Sequence, residues 1–96
     1  MITTKANLIH VLKNEECFLI DLREESEILK KPSLNNSINI PYSHLQDYIN
    51  NNKKSLESKN IIFYCAVGER SALAIQICQS YKFNQVKHLI GGINNI

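Results

Sequence analysis

A chain of 96 residues with a formal charge of +2 and three cysteines is long enough for one domain with its own core, near the lower limit of what folds without metals or disulfides. Its 11 basic residues are scattered, and the two adjacent pairs, Lys30-Lys31 and Lys53-Lys54, are isolated, which argues against a nucleic-acid-binding stripe and mildly favours a small anionic substrate. Cys17, Cys65 and Cys78 are odd in number and form no C-x-x-C pair, so neither a disulfide framework nor a zinc site fits, and a reducing compartment with one working thiol is expected, without metal or cofactor.

The stretch from Met1 to Asn7 has no basic start, apolar run or small-residue cleavage site, and no run approaches membrane-spanning length. A cytoplasmic protein with no membrane partner is expected. Thr3 and Thr4 are placed to cap a first helix reaching about Asn14, with Leu8, Ile9 and Leu12 on one face. Next, the continuous apolar run of 17–22 predicts a strand covered on both faces, with the opposite charges of Asp21 and Arg23 at its carboxyl end. A short helix over 24–31 is stopped by Pro32. Residues 37–40 read as a strand ended by Pro41, and Ser43 and Gln46 have the capping-box spacing of a helix that buries Leu45, Tyr48 and Ile49. The polar stretch 50–60 reads as a surface connection.

The apolar run 61–65 predicts a central strand that passes through the loop 65–70 into a helix from Arg70 or Ser71. That helix carries Ala74, Ile77, Cys78 and Tyr81 at i, i+3, i+4 and i+7. A last strand over 85–90 precedes Gly91-Gly92. Strands alternating with helices predict an α/β fold, a mainly parallel sheet of four to five strands with helices on both faces and right-handed crossovers, in a single domain spanning 1–96. Ligands bind such sheets at the carboxyl ends of the strands, where Cys65, Asp21 and Gly91-Gly92 all fall.

Cys65 sits where a buried strand ends and a helix begins, facing turn amides and the positive end of the helix dipole, which stabilise a thiolate. Five successive amides follow it, and Gly68 supplies the backbone freedom for them to close around the sulfur. A ring of this kind holds a small anion. The bland alternative is an inert buried cysteine; the loop, Gly68, Arg70 and the helix start together favour the reactive one. Arg70 serves equally well as an anion ligand or as a tie to Asp21 or a neighbouring carboxylate. Cys17 and Cys78 read as core. His10, His44 and His88 show no spacing that converges on the loop.

Four segments carry a family resemblance: Phe18-Leu19-Ile20-Asp21-Leu22-Arg23-Glu24, Ser37-Ile38-Asn39-Ile40-Pro41, Cys65-x-x-Gly68-x-Arg70, and His88-Leu89-Ile90-Gly91-Gly92-Ile93. Together they resemble the rhodanese-like sulfurtransferase domain over nearly the whole chain. The resemblance implies a rhodanese-like fold in which Cys65 carries sulfur as a persulfide, taken from a donor such as thiosulfate and passed to cyanide or a thiol. By it, Ala66, Val67, Gly68, Glu69 and Arg70 form the binding loop, and Asp21, Arg23, Ser71, Gly91 and Gly92 support the site. The partners implied are a small anionic sulfur donor and a thiol-bearing acceptor protein such as a thioredoxin. Ala66 and Val67 stand where a basic side chain would assist an oxyanion, and Glu69 adds a negative charge. Those residues keep a second class open, a non-catalytic rhodanese-fold binding or redox-sensing module. A third, a cysteine phosphatase or arsenate reductase, has five residues between cysteine and arginine where this chain has four; the narrower ring suits one sulfur better than the oxygens of a phosphoryl group.

Overall fold

The structure, a computed structural model, describes residues 2–3, 17–83 and 85–95. Its centre is β4 (Asn60–Tyr64), apolar from Ile61 onward, with β2 (Cys17–Asp21) on one side and β5 (Val86–Leu89) on the other. With β3 (Ser37–Asn39) beyond β2 and β1 (Ile2–Thr3) beyond β5, the sheet has the order β1-β5-β4-β2-β3, and every neighbouring pair is parallel. Side chains alternate along a strand, so β4 divides the core between its two faces. Ile61, Phe63 and, just past the strand, Cys65 join a cluster with Leu45, Ile49, Leu56, Ala74, Ile75 and Cys78. Ile62 and Tyr64 join Leu19, Leu89 and Ile93 on the other face. Each of Ile61, Ile62 and Phe63 is 1–2% exposed, and burial of such a side chain contributes about 1.5–3 kcal/mol. The strand that delivers Cys65 is therefore firmly held in the core.

The helices that cover the Cys65 face are α2 (Leu45–Asn51), α3 (Lys53–Glu57) and α4 (Glu69–Ser80). As expected, α1 (Glu25–Lys30) is short, and its first turn is closed by a bond from the Glu24 amide to Glu27 Oε2 at 2.8 Å. It buries no side chain, so its value lies in what it carries. No helix among the described residues is long and apolar enough to cross a membrane.

Two local expectations are corrected, and a third lies almost wholly outside the described residues. The helix expected to begin at Thr3 and Thr4 lies outside the described residues except for Thr3 itself, which pairs with Leu89 in the edge strand β1. Two residues are too few to show a period. At Ser43 the capping box gives way to a 3-10 turn over Tyr42–His44, in which the His44 amide bonds the Pro41 carbonyl at 2.8 Å and no side chain caps the helix. Pro41, with its φ of −52°, directs the chain straight into that turn. Finally, 50–60 is not bare connection, because α3 uses Leu56, 2% exposed, to close the core. One apolar residue among ten polar ones shows no pattern in sequence.

Candidate active site

Past β4 the chain leaves the sheet at Cys65, and α4 begins at Glu69, one residue earlier than its pattern predicts. Between them Gly68 takes a φ of 99°, a left-handed conformation that a side chain disfavours. This bend aims the Gly68 amide at the sulfur, with N to Sγ at 3.1 Å. On the next turn of α4, Ser71 Oγ lies 3.7 Å from Sγ. The cysteine is fully buried. Burial pushes its thiol up, but the Ser71 amide and hydroxyl and the amides of Gly68 and Arg70 outweigh this and hold it below the ordinary thiol value. Sequence reasoning expects five successive amides around the sulfur; the donors that act are those of Gly68, Arg70 and Ser71.

The loop is held in this shape from behind. Gly91 and Gly92 have φ of 78° and 68°, and the turn they make sends the amides of Ile93 and Asn94 back to the carbonyls of Cys65, at 2.8 Å, and Ala66, at 3.0 Å. Since no peptide among the described residues is cis, each tied carbonyl turns the following N–H to the opposite side. The approach leaves no room for a side chain, because a Cβ on Gly92 would meet the Ala66 carbonyl oxygen at 2.3 Å. A Cβ on Gly68 would meet the Gly91 nitrogen at 3.2 Å. The two glycine segments thus interlock, as a tight turn beneath the loop requires.

Two ion pairs frame the site. Asp21 and Arg23, 0% and 2% exposed, join at 2.9 Å, and Asp21 also accepts from the Arg23 amide and from Ser33 Oγ at 2.7 Å. Burial pushes the Asp21 carboxyl up, but these donors outweigh it and hold it below the usual range. Neither residue bonds Cys65; they fix the chain where it leaves β2 for α1. The second pair involves Arg70. Its guanidinium makes a two-pronged bond with Glu27 of α1, both contacts at 2.8 Å, and Asp21 is not its partner. In turn the Glu27 carboxyl is held down to about 2, first by Arg70. Glu27 is absent from the residues that sequence reasoning selects; only the packing of α1 beside α4 reveals it. Val67, 57% exposed, and Glu69 form the outer rim of the loop, and Ala66 is half-buried beneath them.

One histidine does reach the site. His88 of β5 lies with Nδ1 2.9 Å from Ser71 Oγ, so Cys65, Ser71 and His88 stand in a row from the loop to the sheet. The signal was the alternation of β5. Val86 points into the core cluster under α4, and His88, two residues on, shares its side of the sheet. Cys78, by contrast, lies in the same cluster among apolar side chains, its thiol pushed up to about 12 by burial. Cys17 is partly buried against the opposite cluster.

Against this geometry, a family model described as the rhodanese-like domain matches residues 4–96. A mouse protein named thiosulfate sulfurtransferase/rhodanese-like domain-containing protein 3 is 30% identical over 93% of the chain, and the chain spans 63% of its length. A rhodanese-related protein from Thermoplasma volcanium superposes with a TM-score of 0.77 at 32% identity, over 97% of this chain and 86% of that one. A Rhodopseudomonas palustris protein of unknown function, named as a possible tyrosine phosphatase, superposes at 0.86 with 28% identity, over 96% and 75%.

Proposed function

Because the chain belongs to the rhodanese-like domain family, we propose that it is a sulfurtransferase that carries sulfane sulfur on Cys65. The observation that carries this reading is the Cys65 sulfur itself, buried yet met by the Gly68 amide at 3.1 Å and held below the ordinary thiol value. A thiolate so stabilised is a nucleophile that needs no further activation. In the first step Cys65 Sγ attacks the outer sulfur of thiosulfate; the new S–S bond forms as the old one breaks, and sulfite leaves with the electron pair. The terminal sulfur of the persulfide extends about 2 Å beyond Sγ, where loop amides receive its charge. In the second step cyanide, or the thiolate of an acceptor such as a thioredoxin, attacks that sulfur, and Cys65 leaves as the thiolate.

In this reading Gly68, Arg70 and Ser71 supply donors, and Ala66, Val67 and Glu69 shape the mouth of the loop. Asp21, Arg23, Gly91 and Gly92 hold the elements in register. The donor is a small sulfur anion, and the protein works in the cytoplasm. Thiocyanate formation from thiosulfate and cyanide tests it. The wild type should turn over and Cys65→Ser should not.

Complete burial of Cys65 favours one rival, a rhodanese-fold binding or sensing module whose cysteine is modified without turnover. No thiocyanate from a folded, alkylatable wild type would select it. Hydrolysis of a phosphate ester by Cys65 would select the phosphatase instead, against the four-residue spacing of the loop.

A further inference from the structure

In this structure the Cys65 thiol has no exposed surface of its own through which to hand its proton to water. Cys65 has Ser71 Oγ at 3.7 Å and, behind it, His88 Nδ1 at 2.9 Å from Ser71, and His88, unlike Cys65, is only half-buried. The Ser71 hydroxyl has a single proton and three acceptors to choose between, the Gly68 carbonyl at 3.1 Å, the His88 ring and the deprotonated sulfur. This is the arrangement of a switchable chain. We propose that Ser71 and His88 form a proton relay that carries the Cys65 proton out of the loop, with His88 as the positioning residue that receives it. The proposal rests on Cys65 being the working thiol.

In the resting thiol, S–H donates to Ser71 Oγ, and Ser71 O–H donates to the lone pair on His88 Nδ1. Ionisation shifts each proton one place along. The Sγ–H bond breaks as a new Oγ–H forms, the old Oγ–H breaks as Nδ1–H forms, and the imidazolium then gives its Nε2 proton to water. Afterwards the thiolate accepts from Ser71 O–H, and Ser71 Oγ accepts from Nδ1–H, so both states are fully hydrogen-bonded without movement of a heavy atom. No electrons are exchanged, and no co-reactant is needed.

The surroundings of His88 suit a receiver that starts empty. From β4 its neighbour in register is Phe63, and from β1 it is Ile2. The α4 side presents Ser71 and, beyond it, Cys65, whose charge also bears on Arg70. Burial holds the imidazole below its ordinary value, so Nδ1 is free to accept at neutral pH. Among the described residues no carboxylate hydrogen-bonds the ring.

The test follows the rate of Cys65 alkylation by iodoacetamide against pH, read on the Cys65 peptide by mass spectrometry, in the wild type and in His88→Asn. In the ionised state the thiolate is held by Ser71 O–H, itself backed by His88 Nδ1–H, so removing the ring should move the inflection up by about one pH unit, a tenfold slower rate at pH 7, while the plateau at high pH is kept. Ser71→Ala should shift it likewise, and the double variant should add little to either. A His88→Asn profile that overlays the wild type, or one lowered equally at every pH, would overturn the relay. Should His88→Asn fail to fold, the ring of His88 in the intact fold can be titrated by NMR. Cys65→Ser should then lower its midpoint, because the thiolate that favours imidazolium is gone, and an unchanged midpoint overturns the proposal. Alkylation requires no sulfur transfer, so this result stands apart from the thiocyanate assay.

Discussion

Cys65 and Cys78 are both fully buried and belong to one core cluster, yet their thiols shift in opposite directions. At Cys78, on the packed face of α4, burial acts alone and pushes the thiol up to about 12. At Cys65 burial is outweighed by the donors of Ser71, Gly68 and Arg70. Burial therefore does not decide whether a cysteine reacts. What decides is whether the backbone around it has amides to spare, and at a strand-to-helix junction it does, because the first amides of a helix lack partners within it. In the middle of α4 they are already used.

The contrast can be broken most sharply at the sulfurs themselves. Cys65→Ser should abolish thiocyanate formation, and Cys78→Ser should keep most of it; equal losses would mean that the one-thiol account is wrong. Next in its effect on Cys65 is Gly92→Ala, which places a methyl group 2.3 Å from the Ala66 carbonyl oxygen. It should cost about 1–3 kcal/mol in a denaturant melt. By displacing the loop it should also make Cys65 alkylate as slowly as Cys78. A rate like the wild type's would show that the brace behind the loop does not shape the donors.

Ile75→Ala acts on the other region alone. It opens a hole beside Cys78 in the core and should cost about 2–5 kcal/mol, with the alkylation midpoint of Cys65 unmoved. A midpoint that moved with it would mean that the loop borrows its geometry from the core. The smallest effect is expected at the frame. Glu27 is held at about 2 in the fold against 4.5 when free, so its depressed value contributes stability above 4.5 that is lost as pH falls toward 2. Glu27→Gln should flatten that part of the acid limb in a pH series of melts, and an unaltered limb would show that the pair with Arg70 holds nothing in solution.

How much of this could be read from the chain divides along the same line. The path from β4 through Cys65 into α4 is written in consecutive residues, an apolar run, a glycine and a periodic helix, and the parallel arrangement follows from alternation. The use of Gly91-Gly92 beneath the loop was legible too, since a glycine pair at a strand end signals a close approach. What escaped depends on neighbours distant in sequence. Arg70 finds Glu27, 43 residues away, and Ser71 finds His88, 17 away. Neither partnership has a local signature, because each is created by which helix or strand lies beside the other. Leu56 and β1 were too slight to show a period.

The most direct measurement is the intact mass of the reduced protein after exposure to thiosulfate, set beside Cys65→Ser. Sulfur carriage on Cys65 should give a gain of one sulfur atom that reductant removes, present in the wild type and absent from the variant. The same gain in Cys65→Ser, or none in a wild type that remains folded and alkylatable at Cys65, would contradict it.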